Sequence, residues 1–162
     1  MQRTSIQRVT IGAAIAALYV LLTELSALMG LASGVIQFRL SEALCVLSVF
    51  TPVAAPALAV GCLLANALAA CIPIDIVLGS VATLLGALGG RLLRRLPYLA
   101  PLPTVVANVL LVPPVLKYFY AFDGAYPFFC LTVGIGEVVC AWGGGILLYL
   151  ALKPHKDRLF PA

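Results

Sequence analysis

Long apolar runs, separated by short polar or proline-containing connections, dominate the pattern of this chain. A membrane-spanning helix needs about 20 predominantly apolar residues, within a range of roughly 17–25. By that length, the sequence predicts six spans: Val9–Met29, Gly34–Phe50, Pro52–Cys71, Asp75–Leu93, Pro101–Phe122 and Tyr126–Leu152. The pattern therefore predicts an all-α, polytopic membrane protein built as a six-helix bundle.

Composition leads to the same class of protein. Hydrophobic residues make up 63% of the chain and charged residues 10%, against roughly 45–50% and 25% in soluble domains. Mean hydropathy is +1.13. Since six spans and their connections use the whole length, we expect one integral membrane domain over residues 1–162. The first apolar run lacks a small-residue cleavage site, and we interpret it as a span rather than a signal peptide.

Basic residues orient the predicted bundle, because cytoplasmic loops carry an excess of Lys and Arg. With an even number of spans, both termini lie on one side. A cytoplasmic N-terminus leaves only Arg39 and Lys117 in the outer half and places eight of the ten basic residues inside. The eight are Arg3, Arg8, Arg91, Arg94, Arg95, Lys153, Lys156 and Arg158. We therefore expect an N-in/C-in topology.

Acidic residues follow the opposite distribution. Of the six acids, only Asp157 falls inside on this topology. The other five map to the outer half or its rim: Glu24, Glu42, Asp75, Asp123 and Glu137. Asn66 falls at a depth similar to that of Glu24, and Asn108 lies nearer the middle of the membrane. Five spans thus send polar side chains toward one level.

This convergence favours a pocket open to the outside. The alternative is interhelical hydrogen bonding, which contributes only ~0.6 kcal/mol per contact on average. That alternative suits Asn66 and Asn108 better than Glu137, because burying a carboxylate costs more. The excess of acids predicts a ligand with hydrogen-bond donors or positive charge.

The hexapeptide from Gln37 to Glu42 interrupts the apolar pattern with two charges. Arg39 and Glu42 are three residues apart, so on a helix they share one face and can pair. Ionisable residues cost at least ~2.5–3.5 kcal/mol at the centre of a membrane helix and usually pair, face a cavity or serve function. We therefore interpret the hexapeptide either as part of a binding pocket or as a polar loop between two spans.

No catalytic or metal-binding pattern accompanies these polar residues. The chain has no phosphate-binding loop, nucleophile elbow, HExxH motif or paired catalytic His and Cys. The five cysteines show no CxxC spacing and no partner histidines: Cys45, Cys62, Cys71, Cys130 and Cys140. We therefore expect no enzyme activity, no metal and no cofactor, and the chain cannot hydrolyse ATP itself.

Small residues open the first span. Gly12 with Ala16, and Ala13 with Ala17, are small-xxx-small pairs that let another helix approach closely. They fall at the end of the span away from the predicted pocket. From spacing alone, this surface either docks another subunit or packs within the bundle. The glycine-rich stretch before Arg91, Gly86–Gly90, allows the same two interpretations.

Several blocks of the chain together resemble the QueT family, the S components of energy-coupling-factor transporters assigned to queuosine precursors. The blocks are Gln37–Leu44, Gly61–Asn66, Asp75–Ser80, Ala100–Pro103 and Gly134–Glu137. The resemblance covers roughly residues 5–153. It implies an S-component fold in the bacterial cytoplasmic membrane that captures a vitamin-like solute from outside. It also implies as partners a transmembrane coupling subunit and two ATPase subunits, with docking at the Ala13 and Ala17 surface and no role for nucleic acid.

The ligand implied by this resemblance is a 7-deazaguanine, such as queuine or a precursor. One carboxylate would accept the two adjacent N–H donors of its guanine-like edge, and Glu137 is assigned to that edge. The surrounding shell is Glu42, Arg39, Gln37, Asn66, Asp75, Asn108 and Glu24. Alternative functions are an S component for another vitamin-like solute, or a stand-alone permease carrying protons on Glu24 or Glu137.

Overall fold

The computed structural model describes residues 2–31 and 37–160, and these residues form helices and connections without a strand. Gly34, where the second span was predicted to begin, lies outside the described residues. The principal helices are α1 Gln2–Leu28, a 3₁₀ helix Leu40–Val49, α2 Ala54–Leu68, α3 Pro73–Leu92, α4 Leu102–Pro114, α5 Tyr126–Glu137 and α6 Gly145–Leu152. Two short segments, Lys153–His155 and α7 Lys156–Leu159, follow α6.

Four segments of the described chain are long and apolar enough to cross a membrane. They are Ser5–Leu28, Pro73–Leu92, Leu102–Phe119 and Tyr126–Leu159. Leu40–Val49 and Ala54–Leu68 are apolar but shorter. The all-helical, multi-pass prediction is therefore confirmed, whereas six full-length spans and the N-in/C-in topology stay predictions.

The second predicted span differs most from expectation. Its described part is a 3₁₀ helix of 10 residues, which rises about 20 Å at ~2.0 Å per residue. The pattern predicted an apolar run from residue 34, but Arg39 has an extended backbone (φ −99°, ψ 98°) and the helix begins only after it. Most of this helix is buried, including Glu42 and Cys45, so it lies inside the bundle.

Close packing of the helices depends on small residues. A Cβ atom placed on Gly86 would lie 2.6 Å from Thr104 Cα, and one on Gly61 would lie 2.9 Å from the Ala16 carbonyl oxygen. Such distances are shorter than real contacts, so glycine lets α3 approach α4, and α2 approach α1. The glycine-rich stretch before Arg91 thus packs within the bundle rather than against another subunit.

Two π-helical segments continue the longer helices. Val115–Phe119 follows α4 directly after Pro113 and Pro114, so the change of winding falls where two backbone N–H donors are missing. Val138–Gly144 joins α5 to α6 and begins directly after Glu137. Single π turns of this kind are frequent at functional sites.

Candidate functional site

A polar cleft of about 270 Å³ opens at one end of the bundle. It lies between the second half of α1, the residues after α2, the start of α3 and the π segment after α4. Its lining residues are Thr23, Glu24, Ala27, Gln37, Arg39, Ala69, Cys71, Asp75, Val112, Leu116, Tyr120 and Phe122. We call this the polar cleft.

Four of the eight predicted binding residues line the polar cleft: Glu24, Gln37, Arg39 and Asp75. Asp75 accepts a hydrogen bond of 3.0 Å from the Tyr120 hydroxyl. That hydroxyl in turn accepts one of 3.4 Å from the Ile72 backbone N–H. Tyr120 therefore fixes the start of α3 to the end of the π segment at the rim of the cleft.

Glu24 carries an available acceptor in this cleft. Its Oε1 is buried and has no hydrogen-bond partner among residues 2–31 and 37–160. A buried polar atom without a partner costs about 1–3 kcal/mol, so a donor that reached this oxygen would be favoured.

The other four predicted residues form a buried layer: Glu42, Asn66, Asn108 and Glu137. Their exposed fractions are 1%, 0%, 4% and 7%, and none of them lines the polar cleft. The convergence predicted from the sequence therefore separates into two levels.

Arg39 joins the two levels. Its Nη2 donates to Asn66 Oδ1 at 2.5 Å, while the residue also lines the polar cleft. The predicted side-chain pairing of Arg39 with Glu42 was wrong, since the two described residues are joined only through the backbone, where the Glu42 N–H donates to the Arg39 carbonyl oxygen at 3.1 Å. Arg39 caps the 3₁₀ helix with an extended backbone, and its side chain is bound to Asn66 instead of lying on the same helix face as Glu42.

Glu42 is instead held by side chains that the sequence analysis did not select. The Tyr19 hydroxyl donates to Glu42 Oε1, and Cys45 Sγ donates to Oε2 at 3.4 Å. Tyr19 is 1% exposed. Tyr19, Thr23 and Ser26 follow helical spacing along the buried face of α1, and that periodicity in an apolar helix could have identified them.

Glu137 has the least satisfied carboxylate of the buried layer. Its Oε2 is buried and finds no partner within the described chain, and its electrostatic neighbours are Glu42, Arg39 and Asn108. Asn108 itself donates to the Thr104 carbonyl oxygen at 3.2 Å. Two buried carboxylates thus lie near one guanidinium that donates to neither of them and is bound to Asn66 instead.

A polar line runs along the 3₁₀ helix away from the polar cleft. Residues three apart eclipse one another on such a helix, so Glu42, Cys45 and Ser48 stand in a row. Ser48 Oγ donates to the Cys45 carbonyl oxygen at 2.8 Å, and the Ser48 carbonyl accepts from Arg91 at 3.3 Å. Hydrogen-bonding groups therefore continue from the buried layer to the far end of the helix.

The predicted docking residues divide into two pairs on α1. A Cβ on Gly12 would lie 3.0 Å from Val53 Cγ1, and the Ala16 carbonyl faces Gly61 of α2, so both residues pack toward α2. Ala13 and Ala17 are exposed. Gly12, Ala13 and Ala16 border an open apolar groove of about 380 Å³ between α1 and α2.

The cysteines are all free thiols in this structure. Within residues 2–31 and 37–160, no group of three or more His, Cys, Asp or Glu side chains is arranged to hold a metal ion. Cys71 lines the polar cleft, whereas Cys62 is fully buried and accepts a hydrogen bond from Asn66 at 3.6 Å.

Apolar helices of membrane-spanning length around a polar cleft define a multi-pass membrane protein with a place for a small polar molecule. A family model described as the QueT transporter matches residues 9–154. The chain therefore belongs to the QueT transporter family, which confirms the resemblance seen in the sequence. We found no match among curated proteins and none among solved structures.

Proposed function

We propose that the chain is the substrate-binding S component of an energy-coupling-factor transporter for queuosine precursors. It captures queuine or a related 7-deazaguanine from outside, and a transmembrane coupling subunit with two ATPase subunits drives uptake. The observation that carries this proposal is the family match over residues 9–154. The polar cleft supports it with a chemistry that suits such a ligand.

The cleft offers complementary groups for a 7-deazaguanine. Its volume of about 270 Å³ is near the lower end of the ~300–1,000 Å³ typical of small-molecule pockets. The available Glu24 oxygen can accept from the adjacent N–H donors of the guanine-like edge, and Arg39 or Gln37 can donate to its ring carbonyl. Asp75 would then attract the ammonium group of an aminomethyl precursor.

In this proposal, Glu137 binds the ligand at a second stage, further inside the bundle than Glu24. The buried Oε2 of Glu137 lacks a partner in the described chain, and Arg39, which lines the polar cleft, is bound to Asn66 of the same buried layer. The ligand enters at Glu24 and reaches Glu137 when the Arg39–Asn66 contact opens.

Calorimetry with queuine and its aminomethyl precursor tests the site. We expect Glu137→Gln to weaken binding by about tenfold or more, which corresponds to ~1.4 kcal/mol, and Glu24→Gln to weaken it as well. Asp123→Asn is the matched control, because Asp123 is exposed and does not line the cleft. Unchanged affinity in both glutamate variants would remove these carboxylates from the site, and mass spectrometry of any co-purified small molecule tests the ligand class itself.

The exposed Ala13 and Ala17 are the proposed docking surface for the coupling subunit. Leucine at either position should spare ligand binding but block co-purification with the partner subunits. Ala67→Leu is the matched control, since Ala67 is an exposed alanine on α2 that borders neither the apolar groove nor the polar cleft. Assembly that survives Ala13→Leu and Ala17→Leu would exclude this surface.

A stand-alone proton-coupled permease is the second candidate, and the buried pair Glu42 and Glu137 favours it. Such a permease would take up the ligand in cells that lack the ATPase subunits and would stop when a protonophore collapses the proton gradient. The S-component proposal predicts the reverse result in both assays.

A further inference from the structure

A second cavity of about 350 Å³ lies at the opposite end of the bundle from the polar cleft. Helix α3 begins beside Asp75 at the cleft and ends just before Arg94; its 20 residues span about 30 Å at 1.5 Å per residue. That span matches the hydrocarbon thickness of a bilayer, so the second cavity is at the membrane surface. It is lined by Val49, Phe50, Arg94, Tyr149, Lys153, Lys156, Asp157 and Phe160, and we call it the basic cavity.

Three cations surround the basic cavity without being neutralised. Arg94, Lys153 and Lys156 are exposed, and the structure gives none of their side chains a hydrogen bond or ion pair with a described residue. Asp157 is the one acid in the lining. Arg91 nearby differs, because it donates to the Ser48 and Val49 carbonyl oxygens at 3.3 and 3.0 Å. The cavity therefore has an excess of positive charge, because three cationic side chains and one acid line it.

The wall beside these cations is aromatic and its surroundings are apolar. Phe50 stacks on Tyr149 and on Phe160, each with ring centroids 5.4 Å apart. Two residues before and two residues after Arg94 in the chain, outside the cavity lining, Leu92 and Leu96 are 85% and 55% exposed. Cations around a cavity with exposed apolar side chains beside them match a molecule that has an anionic head and hydrocarbon tails.

We propose that the basic cavity binds the phosphate-bearing headgroup of an anionic membrane lipid. Arg94 and the two lysines contact the phosphate, since guanidinium and ammonium groups are the usual phosphate donors, and the acyl chains lie along the exposed leucines. Basic pockets at a membrane surface attract anionic lipids in this way. The exposed leucines favour a lipid over free phosphate, and the proposal does not depend on the transported solute.

Retention of lipid by the purified full-length chain tests the proposal. The chain is reconstituted in vesicles of equal parts phosphatidylcholine and phosphatidylglycerol, extracted, and examined by native mass spectrometry. We expect phosphatidylglycerol to be retained over phosphatidylcholine by about tenfold. The triple variant R94Q/K153Q/K156Q should bring that ratio close to one, and R94K should preserve it.

The matched control removes the same charge elsewhere. The variant R8Q/R95Q/R158Q loses three exposed cations that do not line the basic cavity, and it should retain phosphatidylglycerol like the unaltered chain. Equal loss in both triple variants, or no loss in the cavity variant, would overturn the proposal. Complete displacement of the lipid by equimolar inorganic phosphate would also overturn it, because the ligand would then be soluble phosphate.

Discussion

The polar cleft and the buried layer contain the same kinds of side chain but differ in how many hydrogen-bond partners those side chains have. In the cleft, Glu24 has an oxygen without a partner in the described chain and Asp75 accepts a single hydrogen bond from Tyr120. In the buried layer, Glu42 accepts from two side chains, while Glu137 keeps one unpaired oxygen. Carboxylates that hold helices together are thus distinguishable from carboxylates that remain available to a ligand.

Arg39 is the boundary between the two regions. It lines the polar cleft and donates to Asn66 in the buried layer. A single side chain therefore belongs to both regions, and in the proposed function it limits how far the ligand penetrates. The comparison implies that removing a satisfied carboxylate such as Glu42 alters stability, whereas removing one with an unpaired oxygen, such as Glu24 or Glu137, alters binding.

Glu42→Ala should have the largest effect. It removes the acceptor of two buried donors, Tyr19 and Cys45, and each unsatisfied donor costs about 1–3 kcal/mol. We expect a clear loss of thermal stability in detergent, with Glu42→Gln milder because it keeps a side-chain oxygen. Asp75→Ala in the cleft is the contrasting variant and should leave the unfolding midpoint nearly unchanged; an equal loss there would contradict the distinction.

Native cysteines provide the next test. In variants that keep only one cysteine, a membrane-impermeant maleimide should label Cys71 faster than Cys62 by about tenfold or more, a difference of ~1.4 kcal/mol in effective accessibility. Cys71 lines the cleft, and Cys62 is fully buried beneath Arg39 and Asn66. Arg39→Ala should accelerate labelling of Cys62 selectively. Equal rates in the unaltered background would mean that the two regions are one open cavity.

Tyr120→Phe should have the smallest effect. It removes only the hydrogen bonds that join Asp75 and Ile72 to the π segment, and a partly buried bond contributes about 0.5–1.5 kcal/mol. We expect a few-fold change in ligand dissociation, measured by stopped-flow fluorescence, and little change in stability. Tyr118→Phe is the control, because Tyr118 is 72% exposed.

The sequence predicted the helices well and the polar geometry less well. Apolar runs define helices directly, so α3 at Pro73–Leu92 agrees closely with the predicted span Asp75–Leu93. Depth along a span, however, says nothing about the direction in which a side chain points. Glu24 and Asn66 were therefore placed at one level, yet Glu24 lines the cleft and Asn66 is fully buried.

The 3₁₀ helix explains the remaining difference. Hydrophobicity does not distinguish three residues per turn from 3.6, so the pattern could not show that Arg39 precedes the helix or that Glu42 faces Tyr19. Ser41 similarly accepts a hydrogen bond from Thr23 at 2.8 Å, which depends on the same winding. These contacts join residues distant in sequence, and a local pattern does not contain them.

The winding of Leu40–Val49 also limits which changes of length this segment can accept. Each residue of a 3₁₀ helix turns the chain by about 120°, so one inserted or deleted residue would rotate Cys45 and Ser48 off the line that begins at Glu42. Substitutions that keep this number of residues preserve the line even where side-chain size changes. Within this stretch, a change of chain length would therefore displace every side chain on the line at once, whereas a substitution removes only the contacts of its own side chain.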